Sequence, residues 1–260
     1  MLDLVWSHVL RSLGQRPASA PQISVKQDAP AASGLATSSA LAMCLLQVAR
    51  ESCGAGALTR DELIETAFEL ERRDANGGGM DQLCIGHGGA FLLDGESDAV
   101  PRVIDQSVWP DEWCFVIIDS GIPKHTPTLI AEVRHRLAAG DPSIQRYVEV
   151  ADRCATDIWS AIRDRELDDV KALLDQAHCA MRDYQCSSTP HLERLRVLAL
   201  DCGHDGFKLS GAGGGGALFT ISTLGAAPRL VEELQSALRS ERDSARVVLA
   251  HADHRGIRTL

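Results

Sequence analysis

The stretch Lys208 to Ala217, Lys-Leu-Ser-Gly-Ala-Gly-Gly-Gly-Gly-Ala, constrains the fold of this chain more than any other. Glycine runs often serve as flexible linkers. This one lies between two short β-like segments, Gly206–Leu209 and Ala217–Ile221, with Leu218, Phe219 and Ile221 directly after it, where a linker is not expected. The spacing predicts a strand-to-strand loop whose glycines adopt positive φ and let backbone pack closely under a neighbouring loop. A linker or a bulge remains the alternative from this run alone.

A second stretch of small residues, Pro30-Ala31-Ala32-Ser33-Gly34-Leu35-Ala36-Thr37-Ser38-Ser39-Ala40, leads into the apolar run Ala40–Ala49. That order reads as a loop feeding a buried helix. A helix N-terminus offers unpaired N–H groups and the positive end of its dipole, so phosphate oxygens bind there without a basic side chain. A hydroxyl in the first turn also reaches a magnesium ion. An ordinary Ser/Thr-capped helix explains the segment equally well. Gly-Lys-Ser/Thr is absent, so this is not a Walker loop.

Thr59 to Arg73 reads as the clearest helix, because Thr59-Arg60-Asp61-Glu62 forms a capping box and Leu63, Ala67 and Leu70 repeat along one face. The same periodicity turns Glu71 toward the apolar side, whereas Glu62, Glu65, Glu69, Arg72 and Arg73 lie on the outer arc. An inward carboxylate needs a partner, and a divalent cation is one. Beyond the loop Asn76–Gly79 comes Met80-Asp81-Gln82, where glycines expose Asp81 to a ligand. A frayed helix end for Glu71 and a solvated loop carboxylate for Asp81 are the plain alternatives.

The remaining elements follow from periodicity and turn residues. Leu2–Leu13 has helical spacing and precedes a Pro/Ala/Ser linker up to Pro21; a short strand is expected at Gln22–Gln27 and another at Gly88–Asp94. The break Val108–Asp111 precedes the apolar run Cys114–Ile118 and sets the expected domain boundary, giving domains of residues 1–109 and 110–260. Helices are expected at Leu129–Leu137, Ile144–Ile162, Leu167–Met181, Leu192–Leu200 and Pro228–Leu238, and a strand near Ala245–Leu249. Strands and helices do not alternate strictly, which favours α+β over a doubly wound sheet.

Bulk properties exclude several classes. The chain of 260 residues is 45% hydrophobic, enough for a large core, yet has no apolar stretch long enough to span a bilayer and no basic, then apolar, start. A cytoplasmic location is expected. A net charge of −10 and the lack of a basic stripe argue against nucleic acid, so phosphate would be held by backbone donors and a cation. The eight cysteines are scattered without a C-x-x-C pair, and buried free thiols are expected; His178-Cys179 with Cys186 is the single cluster that suggests a metal, and its spacing is poor.

Taken in order, P-x-x-x-G-L-x-[ST]-S-x-A, a glutamate helix followed by G-G-M-D-Q, and K-L-S-G-A-G-G-G-G resemble the second motif, the catalytic-aspartate region and the third motif of the GHMP-type small-molecule kinases. The resemblance runs from about Gln22 to Ile221. Asp119–Thr126 is similar to a strand and turn of mevalonate kinases. Met80-Asp81-Gln82, Met181-Arg182-Asp183-Tyr184 and Ser188-Thr189-Pro190 look more like galactokinases.

The resemblance implies an ATP- and magnesium-dependent kinase acting on a hydroxyl of a sugar or sugar acid. A mevalonate kinase-like enzyme, or a truncated nucleotide-binding remnant, is the alternative, with a decarboxylase of the same fold behind them. It further implies that Gly34, Leu35, Ala36, Thr37, Ser38 and Ser39 wrap the phosphates and that Gly211, Ala212, Gly213, Gly214 and Gly215 buttress that loop. Ser38 and Glu71 would hold magnesium, and Asp81 would face the acceptor hydroxyl. Ala32 and Ala36 depart from the family's glycines. Nothing before Leu2–Leu13 resembles the family's opening G-R-x-N-L-x-G-E-H segment. The expected fold is α+β in two domains, an N-terminal α/β domain truncated at its start and a helix-rich, ferredoxin-like C-terminal domain. A small-molecule partner is expected, with neither membrane nor nucleic acid, and a homodimer is allowed.

Overall fold

The computed structural model describes residues 2–13, 22–30, 32–75, 78–95, 100–124 and 126–258. The chain divides into two compact units, one of Met1–Pro30, Ala36–Gln106 and Asp253–Leu260, the other of Ala31–Leu35 and Ser107–Ala252.

The first unit holds helices α1 (Leu2–Leu13), α2 (Thr37–Ser52), α3 (Arg60–Ala75) and α4 (Met80–His87), and a two-stranded sheet of β1 (Ala90–Asp94) and β2 (Arg102–Ser107). Val5 and Val9 of α1, Met43, Leu46 and Ala49 of α2 and Leu63, Ala67 and Leu70 of α3 form its core. Each large aliphatic side chain sealed there contributes roughly 1.5–3 kcal/mol. The capping box forms as expected. Glu62 Oε2 accepts the Thr59 N–H and the Thr59 hydroxyl, each at 2.8 Å, and these two bonds hold the Glu62 carboxyl below its ordinary pKa, while Thr59 Oγ1 accepts the Glu62 N–H at 3.4 Å. The segment after residue 252 returns to this unit: Gly89 donates to Asp253 O and Ile257 to Ile85 O, anchoring the end of α4.

The second unit is α+β. Its antiparallel sheet has the order β4-β5-β3-β6, from β3 (Trp113–Asp119), β4 (Lys208–Leu209), β5 (Ala217–Thr223) and β6 (Arg246–Ala250). The β3–β5 register runs from Trp113 opposite Thr223 to Asp119 opposite Ala217. The helices are α5 (Thr126–Ala138), α6 (Pro142–Asp164), α7 (Leu167–Ala180), α8 (Pro190–Asp201) and α9 (Ala227–Glu241), with a π-helical turn at Met181–Gln185. Asp141 and Thr189 cap α6 and α8 through their side chains, each ahead of a proline that suits the first helical turn. Val116 and Ile118 of β3 and Leu218 of β5 pack against Leu192, Leu195, Leu230 and Leu234 of α8 and α9.

Several expectations needed correction. Gln22–Gln27 is not a strand; most of these residues are exposed, and no strand pairs with them among the described residues. β2 was not expected because Arg102-Val-Ile-Asp-Gln-Ser lacks clean alternation; pairing with β1 makes it a strand. Met80-Asp81-Gln82, expected beyond the Asn76–Gly79 loop, opens a helix, so the alternative of a loop position for Asp81 falls away. Of the cysteines, Cys114 and Cys154 are buried, but Cys44, Cys84 and Cys186 are exposed, because they fall on outward faces or at a turn. The linker residues 14–21, Ala31, Asn76, Gly77 and His125 lie outside the described residues. No helix among the described residues is long and apolar enough to cross a membrane.

Candidate active site

In the first unit, three helix ends meet around Glu71. α2 begins at Thr37 behind Ala36, which has φ +54° and leaves the helix without a side-chain cap. The first N–H groups of such a helix have no intrahelical acceptor. Ser39, 1% exposed, donates from Oγ to Glu71 Oε1 at 2.7 Å. Gln82, also 1% exposed and in the first turn of α4, donates from Nε2 to Glu71 Oε2 at 2.5 Å. Glu71 is thereby turned inward from the last turns of α3, while Ser38 and Asp81 are exposed.

Gly79 allows this arrangement. It has φ +78°, and a Cβ there would fall 2.7 Å from Pro101 Cδ and 2.9 Å from the Phe68 ring. The chain can therefore turn tightly against α3 before starting α4, which places Asp81 and Gln82 in adjacent first-turn positions.

Gln82 Oε1 is buried with no hydrogen-bond partner among the described residues. An orphaned buried amide oxygen costs about 1–3 kcal/mol. Gln82 Oε1, the Glu71 carboxylate and the hydroxyls of Ser38 and Ser39 are hard oxygen donors of the kind magnesium prefers, so the chemistry of these residues fits that ion. Among the described residues no group of three or more His, Cys, Asp or Glu side chains is placed to hold a metal, which leaves His178, Cys179 and Cys186 without a metal-binding geometry.

In the second unit, the glycine run forms the loop between β4 and β5. Ser210 N–H donates to Ala217 O across its base. Ser210 Oγ donates to Gly34 O at 2.7 Å, and a Cβ on Gly216 would lie 2.5 Å from Ser33 O. The run thus supports residues 32–35 at backbone contact distance, which side chains would prevent. Gly214 N–H donates to Ser187 O and Gly216 N–H to Ile122 O, while Ser120 donates from both N and Oγ to Gly216 O.

Sequence reasoning missed Gln82 and Lys124 as site residues. Both stood inside motifs noted for other reasons, Gln82 beside Asp81 and Lys124 in the turn after β3. Half-buried Lys124 lays its ammonium against both glycine loops: a Cβ on Gly34 would fall 2.6 Å from Nζ and one on Gly211 2.4 Å. A lysine following Ile-Pro at a strand end was the available signal.

The pattern described as GHMP kinases N terminal domain matches residues 3–89, and that described as GHMP kinases C terminal matches residues 159–240. Among solved structures, the galactokinase of Lactococcus lactis complexed with galactose is similar over 99% of this chain and 76% of its own, at 18% identity and a TM-score of 0.73. The mevalonate kinase of L. major in complex with R-mevalonate matches over 97% of this chain and 77% of its own, at 17% identity and a TM-score of 0.73. For the Methanococcus jannaschii mevalonate kinase the shares are 97% and 74%, at 20% identity and a TM-score of 0.73. No curated protein matches by sequence. With both family patterns in order, covering the larger part of the chain, and the fold of these enzymes throughout, the chain belongs to the GHMP kinases, a superfamily of small-molecule kinases.

Proposed function

We propose that this protein transfers the γ-phosphate of magnesium-ATP to a hydroxyl of a small metabolite, a sugar or sugar acid in the first instance. The observation that carries the reading is the uncapped start of α2 with Glu71 bonded to its Ser39. Backbone N–H groups there, from Gly34 to Ser39, receive phosphate oxygens without needing basic side chains, consistent with a chain of net charge −10. Gly211, Ala212, Gly213, Gly214 and Gly215 buttress residues 32–35 within the second unit. Lys124 contributes one positive charge beside Gly34.

Magnesium, when bound, neutralises charge on the phosphate oxygens; Glu71 and Ser38 would hold it. Asp81, exposed at the start of α4, orients the acceptor hydroxyl and takes its proton as the phosphoryl group leaves ATP. The chain's part in catalysis is then positioning and charge placement. The functional halves are taken as residues 1–109 and 110–260.

A mevalonate-type alcohol is the second acceptor class, favoured by the strand and turn Asp119–Thr126 of the sequence and by the mevalonate kinases among the structural neighbours. Magnesium-ATP consumption measured across sugars, sugar acids and mevalonate tests the proposal. Turnover with one class supports it, and nucleotide that neither binds nor turns over with any acceptor contradicts it.

A further inference from the structure

A buried histidine with partly exposed ionisable neighbours lies in the second unit, where α7, the π-helical turn, α8 and the edge strand β4 come together. His178 on α7 is 0% exposed. Its Nε2 lies 2.9 Å from Glu193 Oε1 on α8, and its Nδ1 accepts the backbone N–H of Leu209 at 3.4 Å. A peptide N–H can only donate, so Nδ1 carries the lone pair and Nε2 the proton, which it gives to Glu193. Glu193 is itself held by the Ser188 hydroxyl, with Arg182 3.7 Å from its other oxygen. Burial alone would raise the Glu193 pKa, but Ser188, His178 and Arg182 outweigh it and hold the carboxyl below its ordinary value.

Leu209 is the second residue before the glycine run. Because Ser210 N–H points to Ala217 O, the alternation of an antiparallel ladder turns the N–H and C=O of Leu209 off the edge of the sheet. Among the described residues no strand lies beyond β4 to receive them. His178 accepts the N–H and Lys208 Nζ donates to the C=O at 3.0 Å, so side chains stand in for a missing strand. The far side of the loop is tied to the same helix end: Ser187 donates from N and Oγ to Met181 O and accepts the Gly214 N–H. Both flanks of the glycine loop are thus referred to the end of α7.

We infer that His178 is a positioning residue: neutral, protonated on Nε2 and oriented by Glu193, it fixes Leu209 and with it the glycine loop Ser210–Gly216, and protonation of Nδ1 releases them. Its consequence for nucleotide rests on the kinase reading above; its consequence for the loop does not.

The charged groups around His178 are Glu193 and Arg196 on α8, Arg182 and Asp183 in the π turn, and Lys208 on β4; α6, also packed on α7, carries Arg153 and Asp157 near Cys154. Burial above all lowers the His178 pKa, with Arg196 and Arg182 acting in the same direction and Glu193 opposing them. The folded value lies below the ordinary 6.5, so the loop-holding form is complete above that pH and is lost as pH falls through the folded value.

The test combines imidazole 15N NMR with amide hydrogen exchange on the whole chain. At pH 7.5 the His178 Nδ1 resonance should be that of an unprotonated nitrogen. Amides of residues 209–216 should exchange about tenfold faster in His178→Leu, while those of β3 and α8 are unchanged. His178→Asn, whose amide oxygen can accept the Leu209 N–H and which does not titrate, should restore slow exchange and abolish its acid dependence. The KM for magnesium-ATP should rise in His178→Leu more than kcat falls. An Nδ1-protonated tautomer in the parent protein, readable even if the leucine variant fails to fold, overturns the inference, as does a loop that exchanges alike in parent and His178→Leu. A loop that loosens as described in a protein that binds no nucleotide sinks the kinase reading and leaves this one standing.

Discussion

Ser39 Oγ donates to Glu71 Oε1 across 2.7 Å, joining the first turn of α2 to the last turns of α3 through a side chain that is 1% exposed. The bond spends a serine hydroxyl on a carboxylate and so fixes Glu71 beside the start of α2.

Ser39→Ala should therefore cost about 2 kcal/mol of folding stability, the usual scale for a hydrogen bond to a charged group. It should also weaken magnesium-nucleotide binding, because Glu71 loses its orientation. Urea unfolding and titration with magnesium and nucleotide check both effects; Ser38→Ala, at an exposed site, should show the binding loss with little change in stability.

Ala36 initiates α2 at φ +54° and Ala32 sits at φ +55°, a region that costs a side chain about 1–2 kcal/mol. Ala36→Gly should relieve that strain and raise the unfolding free energy by about 1 kcal/mol, since the added freedom of the unfolded chain offsets part of the gain. Thermal unfolding of the two proteins decides it.

Gly216 presents the reverse case, with φ +78° and Ser33 backbone oxygen 2.5 Å from any Cβ. Gly216→Ala should destabilise the protein by about 2 kcal/mol or more and disturb residues 32–35. Gly225, with nothing within 4 Å of a Cβ, supplies the control substitution, expected to be close to neutral.

Half-buried Lys208 places its ammonium 5.7 Å from the Phe219 ring centroid, and burial lowers its pKa to about 8. The folded value lies below the unfolded 10.5, so folding releases a proton between them and stability rises with pH across that window. Urea unfolding at pH 7.5 and 9.5 should show a gain in the parent that exceeds the gain in Lys208→Met; the comparison removes the opposing contribution of buried thiols.

Most helices were legible in the sequence because they carried their own signal, as the Thr59–Glu62 box does without tertiary help; α4, which starts behind the positive-φ Gly79, was not. The glycine run was legible for the same reason, since five glycines between apolar segments leave few structures. What was hidden depended on partners. β2 is a strand through β1, Gln22–Gln27 is not one because no strand among the described residues pairs with it, and at the π turn Met181–Gln185 the Met181 O accepts the N–H groups of Cys186 and Ser187. At the site, Glu71 could be turned inward by counting along a helix. Its partners Ser39 and Gln82 could not, because they come from other elements whose approach no local spacing encodes.

In the phosphoryl transfer proposed above, Asp81 faces the acceptor hydroxyl. Asp81→Asn removes the proton acceptor while leaving the α2 start, Glu71 and the glycine loop in place. On the acceptor that the parent protein phosphorylates, turnover should fall by about 10² to 10⁴, with magnesium-ATP affinity nearly unchanged. Turnover in Asp81→Asn equal to that of the parent would rule out that role for Asp81.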